Sequence, residues 1–245
     1  MIKLSAIVLA AAYLALLAGV VTHKLSLLGF KAALALFALG LLITVVVAVV
    51  LALGFIASMA GFDLLKLGHT GVHWPLLLVL FIALVPALSM RLMVGEGLSA
   101  PAIHDISTDP DHPLAFVKAQ TLRRPGENSL DLPSTRTRDK QRAFYVVAPL
   151  VSEQSTAALY QTALRLAKDY QWYVHYEDAE NGRFEAVATT AVFGFKDDIA
   201  VQILEQAGSG AIVQMRSVSR VGLSDLGANA ARIRSFLDDL ALRTQ

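Results

Sequence analysis

The sequence predicts an α-helical membrane anchor of three transmembrane helices followed by a two-layer α+β domain with a mainly antiparallel sheet. Three observations predict it. The first 94 residues hold three long, nearly uncharged apolar runs. From residue 143 onward, apolar residues switch between the period of a strand and the period of an amphipathic helix. Four of the strand-like runs follow one another across short turns, the pattern of an antiparallel meander.

The apolar runs are residues 4–21, 31–60 and 75–94. A helix needs about 20 apolar residues to cross a bilayer, and a chain in lipid must satisfy its own backbone groups, so each run reads as a helix. Lys3 before the first run also suits a signal peptide, but no clear small-x-small cleavage site follows it and two more runs do. Ser5, Thr44, Ser58 and Ser89 are the serines and threonines within the runs, and Pro86 bends the third. No intramembrane acid of the kind found in transporters and proton pumps stands among them, so the runs read as an anchor. In the second loop His69 and His73 have helical ligand spacing, but Gly68 and Gly71 argue against a helix there, and Trp74 marks the loop as interfacial.

Charge divides the chain at the same place. Residues 1–94 carry five Lys or Arg and one acid, leaving 16 bases and 19 acids for the remainder. That mildly acidic part has no basic face for nucleic acid. Cysteine is absent, which excludes disulfides, thiolate metal sites and cysteine nucleophiles. No cofactor is expected. The bases flanking the runs nearly balance across the membrane, so the positive-inside rule decides orientation only weakly.

Residues 95–140 read as an extended, irregular linker rich in Gly, Pro, Asp and Ser. His104, Asp105, Asp109, Asp111 and His112 cluster there as in a metal site, but without a scaffold they read as solvated loop. Residues 141–245 form the globular domain. "AFYVVAPL" reads as a strand, and the helix in "SEQSTAALYQTALRLAKDY" can be capped by Ser152 or Ser155. "WYVHYED" alternates, and Asn181-Gly182 is a favoured hairpin pair. "RFEAVATTAVFGF", "DDIAVQILEQ" and "AIVQMRSVSR" are the remaining strands, and "DLGANAARIRSFLDDLAL" is the closing helix. The order is strand, helix, four strands, helix, which places two helices on one face of a sheet.

"DISTDP", "FEAVATTAVFGFKDDIAVQI" and above all "MRSVSRVGLSDLGANAARIRSFL" make residues 103–240 resemble the bacterial family known as domain of unknown function 1499. The resemblance implies no activity and no catalytic residues. It does imply an envelope protein, which favours the extracytoplasmic side for the domain; the three apolar runs, which are not part of the family domain, make the chain a multi-pass protein of the cytoplasmic membrane.

The candidate site is the polar seam between the last strand and the last helix: Arg216, Arg220, Asp225, Asn229 and Arg232. Arg216 and Arg220 share one face of a strand, while Ser217 and Ser219 share the other with Val213 and Met215. Two readings stay open. In one, the seam locks the fold: Ser224 or Asp225 caps the helix, Asp225 pairs with Arg216 or Arg220, and Glu185, Asp197 and Asp198 neutralise the other guanidinium groups. In the other, the helix N-terminus and the arginines wait for a small anionic ligand. Adjacent Asp197 and Asp198 point to opposite faces and cannot act as a carboxylate pair. The domain therefore reads as a binding or assembly module, with the bilayer and another envelope protein or a small anion as partners. An envelope hydrolase working at the same seam is the alternative.

Overall fold

The computed structural model describes residues 2–60, 62, 74–94, 97, 99–206 and 210–244. The chain forms two compact units, residues 1–95 and 96–245.

The first unit contains α1 (Ile2–Lys24), α2 (Phe30–Met59) and α3 (Trp74–Val94), all long and apolar enough to cross a membrane. This is a membrane protein by that measure. Close packing comes from small residues: Ala33, Gly40, Thr44 and Ala48 are buried along α2, and Gly40 lies directly against the Ala12 carbonyl of α1. Hydroxyls are satisfied within the unit, Thr44 donating to the Leu41 carbonyl at 2.7 Å and Tyr13 to the Ile82 carbonyl at 2.8 Å. His69 and His73 lie outside the described residues.

The second unit is the α+β domain. Its elements are β1 (Asp105–Ser107), α4 (Ala119–Leu122), α5 (Thr135–Phe144), β2 (Leu150–Ser152), α6 (Thr156–Asp169), β3 (Tyr173–Asp178), β4 (Arg183–Thr189), β5 (Lys196–Glu205), β6 (Ala211–Ser219) and α7 (Ala228–Arg243). The sheet runs β1-β6-β5-β4-β3, with β2 also pairing β6, and every pairing is antiparallel. From β2 onward the order is the strand, helix, four strands and helix that the periodicity predicts. Helices α6 and α7 cover one face and close a single core that includes Leu159, Leu166, Phe184, Ile199, Val201, Met215, Ile233 and Phe236.

Two local expectations change and one alternative is settled. "AFYVVAPL" is not a strand: Ser134 caps α5 by accepting from the Thr137 N–H, α5 runs on to Phe144, and only Leu150 begins strand β2. The helix persists because the Gln141 side chain donates to the Ser107 carbonyl at 2.6 Å and accepts from its N–H at 3.1 Å, tying α5 to β1. β4 stops at Thr189 instead of continuing to Phe195, since Thr190 closes a turn by accepting the Phe195 N–H on its hydroxyl. Of the two possible caps of α6, Ser155 is the one used, accepting from the Ala158 N–H.

The larger correction concerns the expected linker. The segment contains β1, α4 and most of α5, and its stretch between β1 and α5 lies on the sheet face opposite the helices. Phe116, Ala119 and Leu130 pack there against Val218 of β6. Asp105, expected in a solvated loop, is 6% exposed.

Candidate functional site

Strand β6 sets the geometry of the seam. Met215, Ser217 and Ser219 face the helices, while Arg216, Val218 and Arg220 face the 109–134 segment. The alternation expected from the sequence therefore holds, and it separates the five candidate residues. Arg216 and Arg220 lie on one face of the sheet; Asp225, Asn229 and Arg232 lie on the other.

On the helix face, Asn229 is fully buried and uses its whole amide. It donates to the His104 carbonyl at 3.1 Å and the Ser219 hydroxyl at 2.9 Å, and its oxygen accepts from the Ser217 hydroxyl at 2.7 Å and from Arg232. Arg232 also reaches the Asp197 carboxylate. Asp225 lies ahead of α7 and accepts from the Gly227 and Asn229 N–H groups at 2.9 and 3.0 Å. It does so because Gly227, at φ +86°, takes the left-handed conformation that turns the chain into the helix. Contrary to the expectation, Asp225 pairs with neither Arg216 nor Arg220; its position two residues before Gly227 aims it at backbone N–H groups on the helix face. Burial raises its pKa, with Asp197 adding to the effect, and the N–H donors oppose both.

The far face is built on four arginines. Arg216, fully buried, is bidentate to Asp105 at 3.0 and 2.7 Å and donates to the main-chain carbonyls of Leu114, Leu130 and Asp131. The Phe116 ring lies 5.2 Å from its guanidinium. Arg220 is bidentate to buried Asp198 at 3.1 and 2.7 Å and donates to the Leu122 carbonyl. Arg123 meets the same carboxylate at 2.8 Å and donates to the carbonyls of Asn128 and Val218. Arg183 donates to the Ala115 carbonyl. Glu185, also buried, accepts the N–H groups of Val117, Lys118 and Ala119, capping α4. A loop pressed onto a sheet has carbonyls that neither water nor a ladder can reach, and here guanidinium groups supply the donors.

His175 stands on β3, and burial lowers its pKa, against the opposing pull of Glu185 and Asp198. Neither ring nitrogen has a hydrogen-bond partner among the described residues.

The metal-like cluster of the linker disperses. Asp105 turns inward to Arg216, Asp109 accepts from the N–H groups of Asp111 and His112 in a local turn, and Asp111 pairs with Arg142. Among the described residues no group of three metal-ligating side chains forms. Asp197 and Asp198 serve opposite faces, through Arg232 and Arg220.

The segment held by the arginines frames a cavity of about 290 Å³ lined by Ala115, Phe116, Gln120, Leu130, Asp131 and Leu132. Sequence reasoning missed Asp105, Arg123 and Asn128 as members of the seam, and it placed Glu185 there only as a counter-charge to arginine, whereas it holds the N–H groups of α4. One signal was available: two arginines on the same face of a central strand require buried carboxylates, and "HDIS" offers an acid beside an apolar residue in a strand-like stretch.

The family described as a protein of unknown function, DUF1499, matches residues 105–240. The chain belongs to the DUF1499 family. The matched stretch opens on Asp105, partner of Arg216, so the DUF1499 region takes in the stapled segment as well as the sheet and its helices. No curated protein matches the chain.

Proposed function

We propose that this protein is a binding or assembly module of the bacterial envelope, anchored in the cytoplasmic membrane with its α+β domain on the extracytoplasmic side, and that it engages a partner protein at the cavity between Phe116 and Leu132. The observation that carries this reading is the arginine staple. A long connection is ordinarily mobile or functional; this one is tied to a rigid sheet through its main chain, which lowers the entropy a partner would have to remove on binding. A partner protein suits the cavity better than a small anion does. Arg216, Arg220 and Arg232 each already face a carboxylate, so an added anion would have to displace one. Phe116, Leu130 and Leu132 offer apolar surface, and Gln120 and Asp131 offer polar groups to orient a side chain. The extracytoplasmic placement rests on the resemblance to envelope proteins.

A photo-crosslinking residue at Gln120 in the full chain, in native membranes, tests the partner. A discrete adduct is expected, and it should vanish when the exposed Leu132 becomes Glu. An adduct untouched by Leu132→Glu, or none at all, would sink the proposal. A phosphatase fused at Gln245 tests the topology: activity is expected, and an inactive fusion alongside a fluorescent cytoplasmic reporter at the same position would reverse it.

A further inference from the structure

The loop between β6 and α7, residues 220–227, is built at a conformational cost. Gly222 and Gly227 have φ of +93° and +86°, and Leu226, which carries a side chain, has φ +52°. A leucine in the left-handed region is strained, and such strain persists only where the surrounding structure imposes it. The surroundings here do so. The backbone of Gly97 packs so closely on the Leu226 carbonyl that any side chain at 97 would collide with it, and the Asp225 N–H is held by the Ile103 carbonyl at 3.0 Å. The product is a fixed loop whose apolar side chains point to solvent, Leu223 being 81% and Leu226 40% exposed. A second exposed stretch flanks Tyr145, which is itself buried. A Cβ built on Gly227 would lie 3.5 Å from its hydroxyl, and the residues on either side of it are exposed, Phe144 by 46% and Val146 by 86%. Arg234, also exposed, stands on the second turn of α7.

Scattered exposed leucines need no explanation, but a strained, pinned loop with two of them beside an exposed Phe and Val does. The covalent chain indicates the occupant. Helix α3 ends at Val94, and Gly97 is three residues further on, a reach of about 10 Å at full extension. The part of the domain that receives the chain from a membrane helix is thus the part that carries the apolar loop. A tethered surface meets its target at high effective concentration, so even a weak apolar contact is populated.

We propose that Leu223, Leu226, Phe144 and Val146 form a lipid-docking face that inserts into the interface of the bilayer in which the chain is anchored. Arg234 adds attraction for anionic headgroups. The inference is independent of the partner proposed above, since it concerns a different surface.

The protein has no cysteine, so single introduced cysteines report their own positions alone. Full-length Leu223→Cys, Val146→Cys and Asn181→Cys would each carry an environment-sensitive fluorophore, in vesicles of phosphatidylcholine and phosphatidylglycerol with and without nitroxide-bearing lipid. Asn181 is an exposed turn residue between β3 and β4. Labels at 223 and 146 are expected to emit further to the blue than the label at 181 and to be quenched by the nitroxide lipid, at any protein-to-lipid ratio. Using both positions guards against one substitution disturbing the loop. Emission at 223 and 146 as water-like as at 181 overturns the proposal. So does shielding that grows with the protein-to-lipid ratio, which would identify a second copy of the chain as the occupant.

Discussion

Replacing Arg216 with Met keeps most of the buried stem and removes every donor. In the parent the guanidinium makes two bonds to Asp105 and one to each of the carbonyls of Leu114, Leu130 and Asp131. The substitution leaves a carboxylate that is 6% exposed without its counter-charge. Breaking a buried pair from one side costs about 3–5 kcal/mol, and each orphaned buried carbonyl adds about 1–3 kcal/mol where water cannot reach it. The loss is local in its first effect, because what Arg216 holds is the segment between β1 and α5. Hydrogen exchange of the full-length protein in detergent reads it. The N–H groups of Val117, Lys118 and Ala119 bond to Glu185, and that of Asn128 to the Arg220 carbonyl, so none of them touches Arg216. If the segment opens as a unit, a loss of about 3 kcal/mol accelerates all four by at least about 100-fold. Adding Asp105→Leu should recover part of the loss, since the stranded charge is gone while the carbonyls remain unpaired. Unchanged exchange at residues 117–128 in Arg216→Met would refute the staple.

Three further outcomes follow from the same contacts. Glu185→Gln presents an NH₂ group to a carboxylate pocket formed by three N–H donors, and should lower the thermal midpoint with a loss of about 1–3 kcal/mol. Asp225→Ala should cost about 1 kcal/mol from the lost backbone bonds at the start of α7. Because burial raises the folded pKa of Asp225, its contribution is full below the ordinary carboxylate range and declines as pH rises through the folded value; melts at acid and neutral pH should show the larger cost at acid pH. His175 has the opposite sign: its folded pKa is lowered, so its contribution is full above the ordinary imidazole range and is lost as pH falls through the folded value. Its ring resonances should titrate below the ordinary imidazole value of about 6.5, and a midpoint at or above that value would contradict the burial assigned to it.

Most of the architecture was legible from local pattern. The three membrane helices announce themselves by length and apolarity. The strands of the meander and the helices α6 and α7 follow from alternation, a helical stripe and a serine cap. The faces of β6 were also readable, since alternation alone puts Arg216 and Arg220 on one side and Ser217 and Ser219 on the other. Three elements, β1, α4 and α5, went unread, the first two for want of length. β1 is three residues long and α4 four, too short for any period to register, and neither would hold without a tertiary partner. "AFYVVAPL" misled because its β-branched and aromatic residues carry strand propensity, while the Gln141 bonds to β1, invisible in the local string, keep α5 helical to Phe144.

The candidate site shows the same division. That the arginines of residues 216–232, with Asp225 and Asn229, make a polar seam follows from their spacing on a strand and a helix. Which acid answers which arginine does not. Asp105 and Arg216 are separated by 111 positions and Arg123 and Asp198 by 75, and no periodicity links residues so far apart. The choice is made when the 109–134 segment folds onto the sheet. Its carbonyls then need donors, and each buried guanidinium needs a counter-charge and acceptors for its remaining protons. The sequence by itself determined the membrane anchor, the helix-and-meander core and the polar character of the seam, because those depend on neighbours along the chain. The tertiary structure alone decided which acid answers each arginine and that the apparent linker is one of the seam's layers, because a buried charge is satisfied only by groups that folding brings within hydrogen-bond reach.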